Sequence, residues 1–237
     1  MLVDGFSQME FLEQTSILKK GQATVLGKGS ICGINTNRFS PSSKIREETR
    51  LQLGFHDNAI VFIFLGRLKK EKGIYELLSA FNKIANESVN AVLLLVGNDE
   101  EKCLESLDIY PNIRLGENLI YYGYTPKPED MYRAADVYVL PTYREGFGLS
   151  ILEASCSGLP IITTDTYGVR DSIVDNLTGL RCKTYDVDTL AQCMKYLYDN
   201  PDERQRLGEN GIKYVHENFT TDMVCGAWLD YYKQVVK

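Results

Sequence analysis

From residue 60 onward, short apolar runs alternate with stretches whose apolar positions recur every three or four residues. The runs are "IVFIFLG" (60–66), "AVLLLVG" (91–97), "NLIYYG" (118–123), "DVYVLP" (136–141), "PIITT" (160–164) and "GLRC" (179–182). They are of strand length, nearly unbroken in apolar character, and mostly bounded by Gly or Pro. Such runs suit strands of a parallel sheet covered on both faces. Helical patterns such as "IYELLSAFNKIA" (74–85) lie between most of them. Strand–helix alternation predicts right-handed β-α-β crossovers. The tail from about 187 to 237 reads as helices alone. The predicted fold class is α/β: a doubly wound, Rossmann-like parallel sheet of six strands with extra C-terminal helices.

The first 40 residues follow a different pattern. "DGFSQMEFLEQTSILKKG" (4–21) reads as a loop and a helix, with Ser7 as candidate N-cap. "ATVLG" (23–27) reads as a short strand, and "GINTNRFSPSS" (33–43) as a linker rich in turn formers. This is a strand-and-helix piece with no sheet of its own. It predicts a division at about residue 33, with the main domain over 34–237.

Composition changes this picture little. The 237 residues are 44% hydrophobic and 24% charged, ordinary for a globular chain long enough to bury a core. The net charge of −6 repels nucleic acid, so any phosphate must be met by a local cluster of cations. Six scattered cysteines with no C-x-x-C pair, and only two histidines, argue against a zinc site. The same cysteines fit a reducing cytoplasm better than a disulfide framework. There is no apolar run long enough to span a bilayer and no signal peptide.

Doubly wound sheets bind ligands beyond the carboxyl ends of their strands, so the chemistry is sought there. The first strand is followed by "GRLKKEKG" (66–73), which places Arg67, Lys69, Lys70 and Lys72 just before a helix. Helix starts ordinarily prefer acids. The loop is either a solvated basic turn or a clamp for a diphosphate, with Arg as a fork and Lys as a point charge. The fourth strand is followed by "YREGFGLSILEASCSGLP" (143–160). Gly146 and Gly148 allow close backbone approach, and a helix from about 148 to 157 presents free N–H groups at its start. Gly158 and Pro160 end it. Glu145 precedes those amides, and Glu153 lies about 7 Å up the axis, a reach from diphosphate to ribose. By themselves the two acids are equally well a loop acid and an exposed helix position.

Together, "GRLKKEKG", "REGFGLSILEASCSGLPIITT" and "GVRDSIVDNLTGL" (168–180) resemble the C-terminal, donor-binding half of the family 4 retaining glycosyltransferases, of GT-B fold. The resemblance runs from about Val25 to the end. It implies that Glu145 contacts the donor sugar and is the catalytic-site acid, and that Glu153 holds the ribose. Gly146, Phe147, Gly148 and Leu149 would offer amides to the diphosphate and sugar, and Arg67 and Lys72 would take the diphosphate charge. The loop "GYTPKPED" (123–130), with Tyr124, would lie near the base. No metal and no cofactor is implied beyond the donor substrate, a UDP- or GDP-sugar. The acceptor would be a glycan or lipid-linked molecule in capsule or cell-surface polysaccharide assembly. Residues 1–33 would be the last piece of the family's N-terminal acceptor domain. The location implied is the cytoplasm at the inner membrane face, with room for peripheral membrane contact in the full-length protein.

Two departures from the family pattern stand out. "TYGVRDSI" replaces the frequent paired glycines and Pro-Glu, and Asp171 stands where Glu is common. Other motifs are set aside. "DVD" (186–188) precedes a helical pattern and reads as a cap before a metal-binding D-x-D. "GQATVLGKGS" (21–30) lacks the spacing of a phosphate loop, and "GKGSICG" lacks that of a dinucleotide fingerprint. Two rival functions remain: a non-catalytic sugar-nucleotide-binding fragment, and a nucleotide-sugar epimerase or phosphorylase of related architecture. The expectation for the chain alone is a folded fragment that binds nucleotide weakly and transfers no sugar. Its residues before about 25 would be loosely held or packed in a non-family position.

Overall fold

The structure, a computed structural model, describes residues 1–236. Six parallel strands form one sheet: β1 (Ile60–Leu65), β2 (Ala91–Val96), β3 (Leu119–Gly123), β4 (Val137–Leu140), β5 (Ile161–Thr164) and β6 (Gly179–Cys182). Their order is β3-β2-β1-β4-β5-β6, so the winding reverses between β1 and β4. All six apolar runs are strands, and all pair in parallel. β2 and β4 are buried at every position, as strands covered on both faces must be.

The covering helices follow from their apolar stripes. Helix α3 (Ile74–Ala85) buries Ile74, Leu77, Leu78, Phe81 and Ile84, one face at helical spacing, and packs beside α6 (Val187–Asp199). Helix α5 (Leu149–Cys156) packs against α7 (Pro201–Asn218). Asp186 of the D-x-D is the N-cap of α6, its side chain accepting from the Thr189 N–H. The C-terminal helix α8 (Thr221–Val235) is tied back to the linker by a bridge between Ile34 and Thr220. Among the described residues, no helix is long and apolar enough to cross a membrane.

Three readings of the leading region change. Helix α1 spans Phe6–Gln14 and its N-cap is Gly5, not Ser7. Ser7 is buried in the first turn because its hydroxyl is taken by a partner far along the chain. The expected strand at 23–27 is reduced to a bridge between Leu2 and Thr24, having no sheet to join. Of the two expectations for the segment, loosely held or packed, the structure has it packed against the main domain, through Ser7 and through a stack of Phe11 on Tyr167. A helix without an apolar stripe appears in the linker, α2 (Ser43–Gln52), capped by Ser42. It is docked by charge. Arg46 and Arg50 donate to Asp136 and to the carbonyls of Arg133, Ala134 and Ala135 at the end of α4 (Pro128–Ala134).

The turn between β1 and α3 rests on Gly73, with φ of 72° and a position so close to Pro141 that a Cβ would overlap the Pro141 carbonyl oxygen. Gly73→Ala must move the backbone at the sheet's reversal point. We expect it to lower stability by roughly 2–4 kcal/mol, read as a fall in the denaturant midpoint at unchanged slope.

Candidate functional site

The basic loop and the Gly-rich loop meet where the winding reverses, at the carboxyl ends of β1 and β4. That is where an open α/β sheet leaves a crevice. Lys72 closes a 3-10 turn, Lys70–Lys72, and its Nζ lies 2.6 Å from Glu145 Oε1, both side chains largely sheltered. Arg67 stays outside this contact. Its side chain is 54% exposed and reaches Glu71 and Glu100 only at 3.8 and 3.9 Å. Lys69 is paired with Glu100 at 2.6 Å. The basic loop is thus largely a solvated turn, and Lys72 is the cation it turns to the Gly-rich loop.

Gly148, with φ of 77°, is the N-cap of α5, and no side chain caps that helix. Gly168 packs so closely on the backbone before it that a Cβ would overlap the Glu145 carbonyl oxygen. The loop's path is therefore imposed by backbone on backbone. Leu149 opens the helix, half-buried. Phe147 is 4% exposed, and its ring lies 5.6 Å from the Phe219 ring in the core, so the group it leaves at the loop is its backbone.

Glu153 sits half-buried on α5 and accepts from the Tyr132 hydroxyl at 3.2 Å. Burial pushes its carboxyl above the ordinary value. The Tyr132 hydrogen bond and the charge of Arg38 oppose that push, while Glu129 adds to it. Tyr138 lies between the acids. Its hydroxyl donates to Ser150 Oγ at 2.8 Å, and burial, with the charges of Glu145 and Glu153, drives its pKa far up. Tyr124 is 71% exposed and forms no hydrogen bond with these groups among the described residues. The structure does bring the following loop toward Glu153. Arg38 Nε and Nη2 donate to Glu129 Oε2 at 3.0 and 2.8 Å, and Nη2 to the Pro126 carbonyl at 3.3 Å.

Asp171 has a specific use. Its Oδ2 accepts from the Ser7 N–H at 2.9 Å and the Ser7 hydroxyl at 2.8 Å, while the Gly168 N–H donates to Ser7 Oγ at 3.0 Å. The shorter acid anchors α1 over the turn that supports Glu145. Arg38, Tyr132, Tyr138 and Ser7 were not singled out as site residues. Their partners lie up to 164 positions away, and no local spacing announces them.

Fold and site together define a doubly wound α/β domain in which a lysine–glutamate pair and a glycine-capped helix start meet at the winding reversal. The profile of the family described as "Glycosyl transferases group 1" matches residues 45–214, and the chain belongs to that family. A relative is the "capsular polysaccharide biosynthesis glycosyltransferase CapM" of Staphylococcus aureus, 31% identical over 89% of this chain and 55% of its own length. The structure is similar to sucrose-phosphate synthase from Thermosynechococcus elongatus, with a TM-score of 0.84, 26% identity, and coverage of 99% of this chain and 58% of that one. That coverage takes in the leading segment. It is also similar in fold to HepE of Anabaena, solved with UDP-glucose: TM-score 0.84, 17% identity, 98% of this chain and 63% of that one. The chain spans about half the length of the curated relatives it matches.

The raised Glu153 pKa has a signed consequence. A carboxyl raised in the folded state favours folding when protonated and loses that contribution as pH rises from about 4.5 through its folded value. Glu153→Gln should therefore unfold at a higher temperature than the parent at pH 7.5, and the gap should close as pH falls toward 4. Parallel melting curves across that range test it; a gap that widens on acidification would contradict the burial argument.

Proposed function

We propose that this chain is the donor-binding half of a retaining glycosyltransferase that takes a UDP- or GDP-sugar. The observation that carries the reading is the convergence of Lys72, Glu145 and the uncapped start of α5 at the reversal between β1 and β4. A diphosphate at those amides would meet the positive end of the helix dipole. Lys72 has three N–H donors, so it can keep Glu145 and still donate to a phosphate oxygen. Arg67, weakly paired and exposed, is free to swing onto the outer phosphate. Charge building on the leaving diphosphate would be stabilised by groups already in place. Glu145, fixed beside Lys72, would accept a hydroxyl of the sugar, and Glu153 with Tyr132 would receive the ribose. Tyr124 and its loop would border the base. No divalent metal is needed on this reading, because Lys72 and the helix amides supply the positive potential.

The likeness to a capsular polysaccharide enzyme supports a glycan or lipid-linked acceptor in cell-surface polysaccharide assembly, at the inner face of a membrane. The acceptor would approach from a domain of the longer protein, and the 237 residues alone would bind the donor nucleotide without transferring sugar. This also accounts for where the hollows lie. A cavity of about 370 Å³ sits at the opposite, amino edge of the strands, lined by His56, Asn90, Asn112 and Asn118. Its lining cation, Arg114, is exposed and lies 4.0 Å from Glu117, and no helix starts among its lining residues. One wall of a two-walled cleft is a shelf, not a cavity.

Calorimetric titration separates this reading from its rivals. Lys72→Ala should weaken nucleoside diphosphate binding on the order of 10- to 100-fold and leave the bare nucleoside unchanged. Glu145→Gln should spare the nucleoside diphosphate and reduce transfer in the longer protein. Added chelator should leave all affinities in place. Equal losses for nucleoside and diphosphate in the Lys72 variant would remove the phosphate clamp. Transfer by the 237 residues alone would show that the chain is more than a donor half.

A further inference from the structure

The segment ahead of α1 reaches the carboxyl edge from outside the sheet and carries an acid with it. Asp4 is half-buried, and its backbone is held from two sides. Its N–H donates to Gln8 Oε1 at 2.9 Å, and its carbonyl accepts from the Ser30 N–H at 2.6 Å. The next residue, Gly5, lies against the Phe147 ring and the Asp171 carboxylate. Two residues further, Ser7 is fastened to Asp171 and Gly168. Asp4 therefore has a defined place, and that place is at the Gly-rich loop. Its Oδ2 lies 3.3 Å from the point where a side chain on Gly146 would begin.

Among the described residues, the Asp4 carboxylate has no ion-pair partner and accepts no hydrogen bond. Lys72, the cation turned to the Gly-rich loop, is engaged by Glu145 at 2.6 Å. An acid without a cation beside a phosphate site repels phosphate oxygens. Its lone pairs are open to hydroxyl donors. A nucleotide sugar offers those hydroxyls on the group next to the diphosphate.

Resting on the donor-site reading above, we propose that Asp4 is a specificity-determining residue. Its carboxylate accepts hydroxyl hydrogen bonds from the transferred sugar beside Gly146, in company with Glu145. The leading segment is then part of the sugar subsite, not only a connection to another domain. Asp4 favours the intact nucleotide sugar twice over: it binds the sugar's hydroxyls, and it disfavours the bare diphosphate that is left after transfer.

The substitution should therefore separate the sugar nucleotide from its bare diphosphate, which a structural role does not do. The test titrates the parent and Asp4→Asn with UDP, GDP, UDP-glucose, UDP-N-acetylglucosamine and GDP-mannose, with melting curves in parallel. For the nucleotide sugar that the parent binds best, Asp4→Asn should lose about 10-fold in affinity, while the matching bare diphosphate should bind equally or about 2-fold more tightly. Asp4→Glu, which keeps the charge, should keep the weaker affinity for the bare diphosphate. The proposal is overturned if sugar nucleotide and bare diphosphate change together, if neither changes, or if the parent does not favour any nucleotide sugar over its diphosphate. A parent that binds none of the five would overturn the donor-site reading itself, a separate failure visible before any variant is made.

Discussion

Two backbone contacts hold the carboxyl edge together: Gly73 against the Pro141 carbonyl, and Gly168 against the Glu145 carbonyl. Each brings main chain to main chain at a separation that admits no side chain. The first fixes the turn after β1 to the end of β4, and with it the position of Lys72. The second fixes the loop after β4 to the turn after β5, and with it the position of Glu145. The Lys72–Glu145 pair at 2.6 Å is the outcome of these two constraints. Backbone packing orients the charges, so neither side chain has to be ordered by the ligand. That is the condition under which fixed dipoles and charges stabilise developing charge most efficiently.

The electrostatics follow the same logic at larger scale. A chain with net charge −6 draws no polyanion to its surface at large. The basic loop does not reverse that field, because Glu71, Glu100 and Glu145 engage its cations. What remains is local: one sheltered lysine beside uncapped helix amides, facing two acids that suit hydroxyls better than phosphates. Glu153, driven toward its neutral form by burial, is held in a setting that costs stability.

Much of this was legible in the sequence because the governing signals are local. Six apolar runs with Gly or Pro at their ends became six parallel strands. The stripe of Ile74, Leu77, Leu78 and Phe81 became α3. Lys72 and Glu145 lie in the loops that follow β1 and β4, where the topology places ligand sites, and the structure pairs them at 2.6 Å. The failures are equally physical. Helix α2 has no apolar stripe, since Arg46 and Arg50 dock it onto Asp136 and α4 carbonyls, and periodicity does not report that force. Ser7 looked like a cap because Ser before a helical pattern ordinarily is one. Its true partners, Asp171 and Gly168, lie more than 160 positions on.

That last contact changes the meaning of the leading segment. A connection between domains needs only to reach from one to the other. This segment is bonded by Ser7 to the turn that carries Gly168, and Gly168 in turn supports Glu145. Phe11 adds a stack on Tyr167 of the same turn. Any movement of the leading segment is therefore transmitted to the loop at the mouth of α5. The departure from Glu to Asp at 171 fits this role. One methylene fewer brings the carboxylate back toward its own main chain, where it meets both the N–H and the hydroxyl of Ser7. The acid at 171 is thus committed to holding the two parts of the chain in register.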